Sequence, residues 1–227
     1  MLKKYDELPK FMKNKEVKKY YDILNKKKFN LILKRIFDIV ASLILLILIS
    51  PVLLVLAIAI KIDSKGPVFY RQKRITTYGR EFKIFKFRTM VVDADKKGTL
   101  VTLKNDSRIT RVGNKIRKCR LDELPQLINV LIGDMSFVGT RPEVKKYVDA
   151  YSNEMMATLL MPAGITSLAS IEYKDEDKII EKYTKKGEEV DDIYIKRILP
   201  DKMKYNLDYI KKFNIIEDIK TCIKTVI

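Results

Sequence analysis

Hydrophobic and polar positions are unevenly distributed along the chain, and one run stands apart. Residues 39–60 read IVASLILLILISPVLLVLAIAI, with no charged side chain and only Ser42 and Ser50 as hydroxyls. About 20 apolar residues suffice for a helix to cross the hydrocarbon core of a bilayer. A helix apolar on every side would find too few partners inside so small a domain, which argues against a buried core helix. The stretch ahead of the run is long and no small-residue cleavage site follows it, so a signal peptide is not expected. Ser50-Pro51 falls at its centre, where proline removes a backbone hydrogen bond and kinks the axis. Lys26, Lys27, Lys28, Lys34 and Arg35 precede the run, and Lys61, Lys65, Arg71, Lys73 and Arg74 follow it. Basic residues beside membrane segments mark the cytoplasmic side. A re-entrant helix–break–helix over 34–62, entering and leaving by one face, satisfies both clusters; a kinked spanning helix satisfies one.

Elsewhere the pattern changes period. Residues 1–33 alternate lysines with Tyr, Phe, Leu and Ile, a weakly amphipathic basic pattern that predicts an interfacial extension or, failing that, a solvated terminus. Lys65-Gly66-Pro67 signals a turn. The runs VFYRQKRI and REFKIFKFRTM flank Thr77-Tyr78-Gly79 and read as a β-hairpin, with Lys86 and Arg88 on one face of the second strand and Phe85 and Phe87 on the other. Residues 92–109 are polar and read as a loop. From about Asn114 onward the patterns are helical, through a charged stretch at 172–194 to a final amphipathic run at 200–227. These elements predict an α+β, helix-rich, membrane-associated domain in three parts. They are the basic extension (1–33), the membrane helix (34–62) and a cytoplasmic catalytic domain with interfacial helices (63–227).

Composition narrows the chemistry. There are 46 Lys and Arg against 29 Asp and Glu, a net charge of +17. Such a field favours polyanions: anionic lipid headgroups, phosphorylated substrates or nucleic acid. The chain has no histidine, which excludes Ser-His-Asp and Cys-His catalysis and His-ligated metals. Two cysteines, Cys119 and Cys222, are too few for a disulfide framework. Cys119 beside Arg120 is a candidate reactive thiol.

The sharpest local signal is LDELPQL at 121–127. Pro125 favours the first positions of a helix, so the helix starts near Asp122. Adjacent carboxylates there face the positive end of the helix dipole, which also attracts phosphate. Arg111, Lys115, Arg117, Lys118 and Arg120 lie just upstream. An ionised Asp can attack phosphorus, and a second carboxylate can help bind Mg²⁺ or manage protons. Taken by itself, the same pair also reads as an N-cap and a first-turn Glu.

Several longer segments bear on that choice: KRIFDIVAS at 34–42, Ser50-Pro51, GPVFYRQKR at 66–74, FKIFKFRTM at 82–90, DSRITRVG at 106–113, IRKCRLDELPQLINVLIGDMSFVGTRPE at 116–143 and PAGITSLASI at 162–171. In this order the chain resembles the bacterial sugar transferases, small monotopic phosphoglycosyl transferases that start glycan assembly on polyprenyl phosphate. The resemblance implies a reaction at the cytoplasmic face of the bacterial inner membrane. A UDP-sugar would give its sugar phosphate to undecaprenyl (polyprenyl) phosphate, releasing UMP. It also implies roles. Asp122 would be the nucleophile carrying a covalent phosphosugar, and Glu123 would assist, with both available to Mg²⁺. Arg117 would hold a phosphate; Lys86, Arg88, Arg111 and Arg141 are candidate diphosphate clamps. Ser50-Pro51 matches the family's helix break.

Four positions depart from the family pattern. Thr140 replaces a proline, which loosens the loop that places Arg141. Arg120 stands where a Ser or Thr often caps the catalytic helix, leaving Asp122 to cap it. Ser167 replaces a frequent Gly, and Asn206 a frequent Asp. Two other functions compete with the transferase. One is a catalytically silent membrane-surface scaffold holding anionic lipid, which has no need of an intact Asp122-Glu123 pair. The other is a nucleic-acid binder built on basic–aromatic runs such as KIFKFR, which the membrane segment argues against. The sequence names no sugar.

Overall fold

The computed structural model describes residues 2–94, 106–173 and 176–226. Most of the polar stretch read as a loop at 92–109 lies outside them. The described residues form ten α-helices and two small sheets. After short turns at the start, α1 (Lys15–Lys26) opens with Asn14, whose side chain accepts the Val17 N–H at 2.9 Å. A helix of 36 residues, α2 (Lys28–Asp63), carries the apolar run. Strands β1 (Phe69–Ile75) and β2 (Glu81–Phe87) pair antiparallel, with Tyr70 opposite Lys86 and Arg74 opposite Phe82. This is the expected hairpin. Next come α3 (Arg111–Lys118), α4 (Gln126–Ile132) and β3 (Met135–Val138). After α5 (Lys145–Val148), strand β4 (Ala163–Thr166) pairs parallel to β3. The chain closes with α6 (Leu168–Glu172), α7 (Glu176–Thr184), α8 (Val190–Ile193), a π-helical turn at Tyr194–Ile198, α9 (Leu199–Lys212) and α10 (Ile215–Val226).

Helix α2 differs from the expected helix–break–helix. It runs through Ser50-Pro51 without interruption. Pro51 has no N–H for the carbonyl of Ile47, four residues back, and the Ser50 hydroxyl donates to that carbonyl at 2.8 Å. The pair is a compensated proline inside one helix rather than a gap between two. Along its middle the side chains are bare: Leu43, Ile47, Leu48, Leu54 and Val55 are all exposed.

Both ends of α2 are fastened to the same body. Near its start, Lys34 donates to Asp218 of α10 and to the Val138 carbonyl. Arg35 donates to the Val130 and Leu131 carbonyls at the end of α4. Asp38 accepts the Ser136 hydroxyl and the Phe137 N–H. Near its other end, Ile60 is buried with Phe87 and Ile116, with Leu53, Leu56, Ala57 and Leu121 packed around them. The Asp63 carboxylate accepts the Val112 N–H at the start of α3. The segment KRIFDIVAS is therefore a docking seam, a role the sequence pattern did not reveal.

The basic extension is corrected in one respect. Residues 1–33 are not a separate surface element, because Leu8, Met12, Val17, Tyr20, Tyr21 and Leu24 lie in the largest hydrophobic cluster with Ile193, Ile198, Met203 and Phe213. Its lysines fall between those positions, and Lys18 and Lys19 pair with Asp22 and Glu16. An amphipathic stripe with tyrosines on its apolar side suits a protein core as well as a lipid interface, so pattern alone could not separate them.

Candidate active site

Asp122 and Glu123 lie in a single 3₁₀ turn, Leu121–Glu123, directly ahead of α4. Arg120 enters that turn with φ of +54°, a left-handed conformation that non-glycine residues rarely adopt and that clusters at functional sites. Neither this turn nor α4 has a side-chain cap, so Asp122 is not the N-cap that the loss of a Ser or Thr suggested. Its carboxylate makes no ion pair among the described residues. Burial and then the neighbouring Glu123 charge raise its pKa, while Lys86, its own backbone N–H and Arg117 pull the other way.

Glu123 is the opposite case. One oxygen, Oε1, accepts Lys86 Nζ at 2.7 Å and Arg141 Nη2 at 3.0 Å. Burial pushes its pKa up, but the two cations outweigh burial and hold it down at about 2. Burial lowers the pKa of Lys86, against the pull of Glu123. Two adjacent carboxylates thus have opposed environments, the pattern that separates acid, base and nucleophile roles in active sites.

Three elements bring these groups together. Lys86 comes from β2, whose alternation buries Phe82 and Ile84 and carries Lys86 on the same face. Asn129, fully buried on α4, accepts the Phe85 N–H at 2.8 Å and donates to the Lys83 carbonyl at 3.1 Å. Its amide continues the hairpin's hydrogen bonding and locks the dyad's helix beside Lys86. Arg141 comes from the segment after β3, where Gly139 N–H donates to the Thr166 carbonyl and Gly164 N–H to the Thr140 carbonyl. The backbones approach so closely there that a Cβ on Gly164 would lie 2.2 Å from the Gly139 nitrogen. Thr140 in place of proline therefore leaves this loop fastened through its backbone.

The other candidates divide. Arg117, on the last turn of α3, is near enough for its charge to lower the Asp122 pKa. Arg111 is exposed at the first position of α3 and forms no ion pair with either carboxylate. Arg88 is a correction: it is 5% exposed, and its guanidinium donates to the Lys65 and Ser64 carbonyls. It closes the end of α2 rather than clamping a diphosphate. Ser167 caps α6 by accepting the Ser170 N–H, and Cys119 is exposed and unpaired with Cys222. No group of three or more acidic or thiol ligands gathers among the described residues. The donors present, a free Asp122 and the second oxygen of Glu123, suit a cation that keeps water and substrate oxygens as most of its ligands, as Mg²⁺ does.

The model of the bacterial sugar transferase family matches residues 29–227. The chain belongs to that family. A transferase of Aeromonas hydrophila, named UDP-N-acetylgalactosamine-undecaprenyl-phosphate N-acetylgalactosaminephosphotransferase, is 36% identical over 75% of this chain and 37% of its own. Proteins named UDP-glucose:undecaprenyl-phosphate glucose-1-phosphate transferase are 38% identical in Escherichia coli and 37% in Caulobacter vibrioides. They match 75% of this chain in both cases, and 34% and 59% of their own. The chain thus spans about a third of the length of the first two of these relatives. Members of the family related to this chain are named for different sugars, and the dyad turn with Lys86, Arg117 and Arg141 lies within the part the family model covers.

Proposed function

We propose that this protein is a phosphoglycosyl transferase, moving a sugar 1-phosphate from a UDP-sugar to undecaprenyl phosphate and releasing UMP. The observation that carries the reading is the divided dyad: Glu123 is held by two cations while Asp122 stands beside it without an ion pair among the described residues. The Asp122 carboxylate attacks the phosphorus that bears the sugar. The bond from that phosphorus to the bridging oxygen breaks, and UMP leaves with the bond's electron pair. An oxygen of undecaprenyl phosphate then attacks the same phosphorus and expels Asp122, giving the lipid diphosphate sugar. Lys86 and Arg141, oriented by Glu123, and Arg117 face the charge that develops on the phosphoryl oxygens. Mg²⁺, when bound by Asp122, Glu123 and substrate oxygens, supplies further neutralisation of the diphosphate.

The membrane arrangement follows from the same contacts. A helix that crosses the bilayer separates its ends by the hydrocarbon thickness, about 30 Å. Here Lys34 and Asp63, on either side of the apolar run, both bond to one folded body. That supports a re-entrant α2, helical throughout but bent at Pro51, with both ends on the cytoplasmic face. The exposed Ile216, Ile219 and Ile223 of α10, with Phe29 and Ile32 of α2, suit an interface where basic residues meet anionic headgroups. Leu121 packs against the buried cluster of Ile60, Phe87 and Ile116, on which Leu53 and Leu56 of α2 also lie; this supports a dyad close to α2, where a lipid phosphate meets a soluble nucleotide sugar.

The test is UMP release from a panel of UDP-sugars with undecaprenyl phosphate and Mg²⁺. Wild type should turn over at least one donor, Asp122→Asn none, and quenched reactions should yield a peptide carrying phosphosugar on Asp122. If wild type and Asp122→Asn behave alike on every donor, the reading is wrong. Single cysteines placed ahead of residue 34 and after residue 63 should both resist periplasmic labelling, and labelling of either would reject the re-entrant arrangement.

A further inference from the structure

Behind Arg141 lies a chain of buried polar groups with no part in the chemistry above. Glu143 is 7% exposed and forms no ion pair among the described residues. Its Oε1 accepts the Tyr194 hydroxyl at 2.6 Å. That hydroxyl also accepts Lys202 Nζ at 3.3 Å, and Lys202 donates to Glu176 at 2.9 Å. Tyr194 is 5% exposed and Lys202 7%. Three elements beyond the site, α7, the π-helical turn and α9, thus converge on one carboxylate two residues from Arg141.

A buried carboxylate without a direct cation is costly unless nearby charge uses its field. Two arginines lie within its reach: the Glu143 charge acts on both Arg141 and Arg74. The Arg74 guanidinium donates to the Pro142 carbonyl at 3.3 Å, and the Ile75 N–H donates to the Glu143 carbonyl at 2.9 Å. With the bonds already described at Gly139 and Thr140, the loop is tied at every residue from 139 to 143 except Arg141. Arg141 alone sends its side chain to the dyad. Tyr194 opens the π turn, a distortion found preferentially at functional sites, and its ring stacks on Tyr147 with centroids 4.5 Å apart. The local geometry is thus committed to holding one hydroxyl against Glu143.

We infer that Glu143 and Tyr194, supported by Lys202, are positioning residues for Arg141, and that through them the helical region after residue 143 sets the affinity for the nucleotide-sugar diphosphate. This rests on the transferase reading above. Glu143 and Tyr194 touch neither the dyad nor the expected path of the phosphoryl group; their effect passes through the angle at which Arg141 is presented.

The experiment uses full-length protein in detergent or nanodiscs with whichever UDP-sugar wild type accepts. Tyr194→Phe keeps the ring and its stacking and removes only the hydroxyl. Losing one hydrogen bond to a charged group should raise KM for the UDP-sugar roughly tenfold with kcat changed less than about threefold. Glu143→Gln should move KM the same way. In an Arg141→Lys background Tyr194→Phe should add almost nothing, since both changes act on one contact. A merely structural Tyr194 would lower the melting temperature and the active fraction and leave KM unchanged. Wild-type KM in both variants, or an undiminished Tyr194→Phe effect in the Arg141→Lys background, overturns the inference and leaves the transferase reading intact. Absence of turnover by wild type on every donor rejects both.

Discussion

Replacing Lys34 by methionine tests how the membrane helix is attached. Lys34 and Asp218 have side chains 4% and 1% exposed, and Lys34 also donates to the Val138 carbonyl at 2.8 Å. Methionine keeps most of the stem's volume and removes the charge and three donors. Among the described residues Asp218 would then be buried with only the Tyr209 hydroxyl, at 2.8 Å, as a side-chain partner. Breaking a buried ion pair from one side costs about 3–5 kcal/mol. In a chain of this length 1 kcal/mol moves the melting temperature by about 2–4 °C, so a fall of roughly 10 °C is expected. The assay is thermal unfolding of purified protein in detergent, followed by far-UV circular dichroism because the chain has no tryptophan. The double variant Lys34→Met/Asp218→Asn should recover at least half of the loss, since the neutral amide can still accept from Tyr209 and no charge is stranded. Lys34→Met should also reduce turnover, because Val138 leads directly into the loop bearing Arg141. A melting temperature within about 2 °C of wild type would refute the reasoning, as would a double variant no more stable than Lys34→Met alone.

The remaining predictions concern the dyad and its supports. If the Asp122 carboxylate is the nucleophile, burial and then the Glu123 charge, which raise its pKa, move the acid limb of the pH–rate profile to higher pH than an unperturbed aspartate would give. Glu123→Gln removes a charge that raises that pKa and should move the limb to lower pH; Lys86→Met removes one that lowers it and should move the limb to higher pH. The reverse order in steady-state pH profiles would refute the assignment. Asn129→Leu strands the Phe85 N–H and the Lys83 carbonyl and should cost about 2–4 kcal/mol in chemical denaturation, with a loss of activity larger than that of surface controls. Gly164→Ala drives a methyl group to within 2.2 Å of the Gly139 nitrogen. It should destabilise the protein by about 1–3 kcal/mol and raise KM for the donor, read from melting curves and initial rates.

How much of this could be read from the chain depended on whether a feature was local. The β-hairpin was legible because both strands and their turn lie within 19 consecutive residues, and a period of two survives any tertiary setting. The dyad was legible as a pair, as was its position ahead of a helix. Its asymmetry was not, because what separates Asp122 from Glu123 is Lys86, 37 positions away, and Arg141, 18 positions away. Arg88 shows the same limit in reverse. It sits two residues from Lys86 on the same strand face, and nothing local shows that its guanidinium turns back to the carbonyls ending α2. The N-terminal stripe misled because lipid and protein core select the same apolar face. What decides between them is a partner such as Phe213, at the far end of the sequence.

The docking seam at 34–42 combines both effects. Lys34 and Arg35 read as flanking charge, the ordinary accompaniment of a membrane helix, and Asp38 follows them one turn later. Each instead spends its charge on a backbone or side-chain partner about 95 to 185 positions away. Charge beside an apolar run therefore has two physical uses. It can sit in the headgroup region, or it can tie the run to a folded body. Only contacts distinguish them, and Lys34, Arg35, Asp38 and Asp63 tie both ends of one helix to the body that carries the dyad. With both ends tied to the body that holds Asp122 and Arg141, α2 shapes the surroundings of the dyad, and in the proposed transferase it would do so while also serving as the anchor.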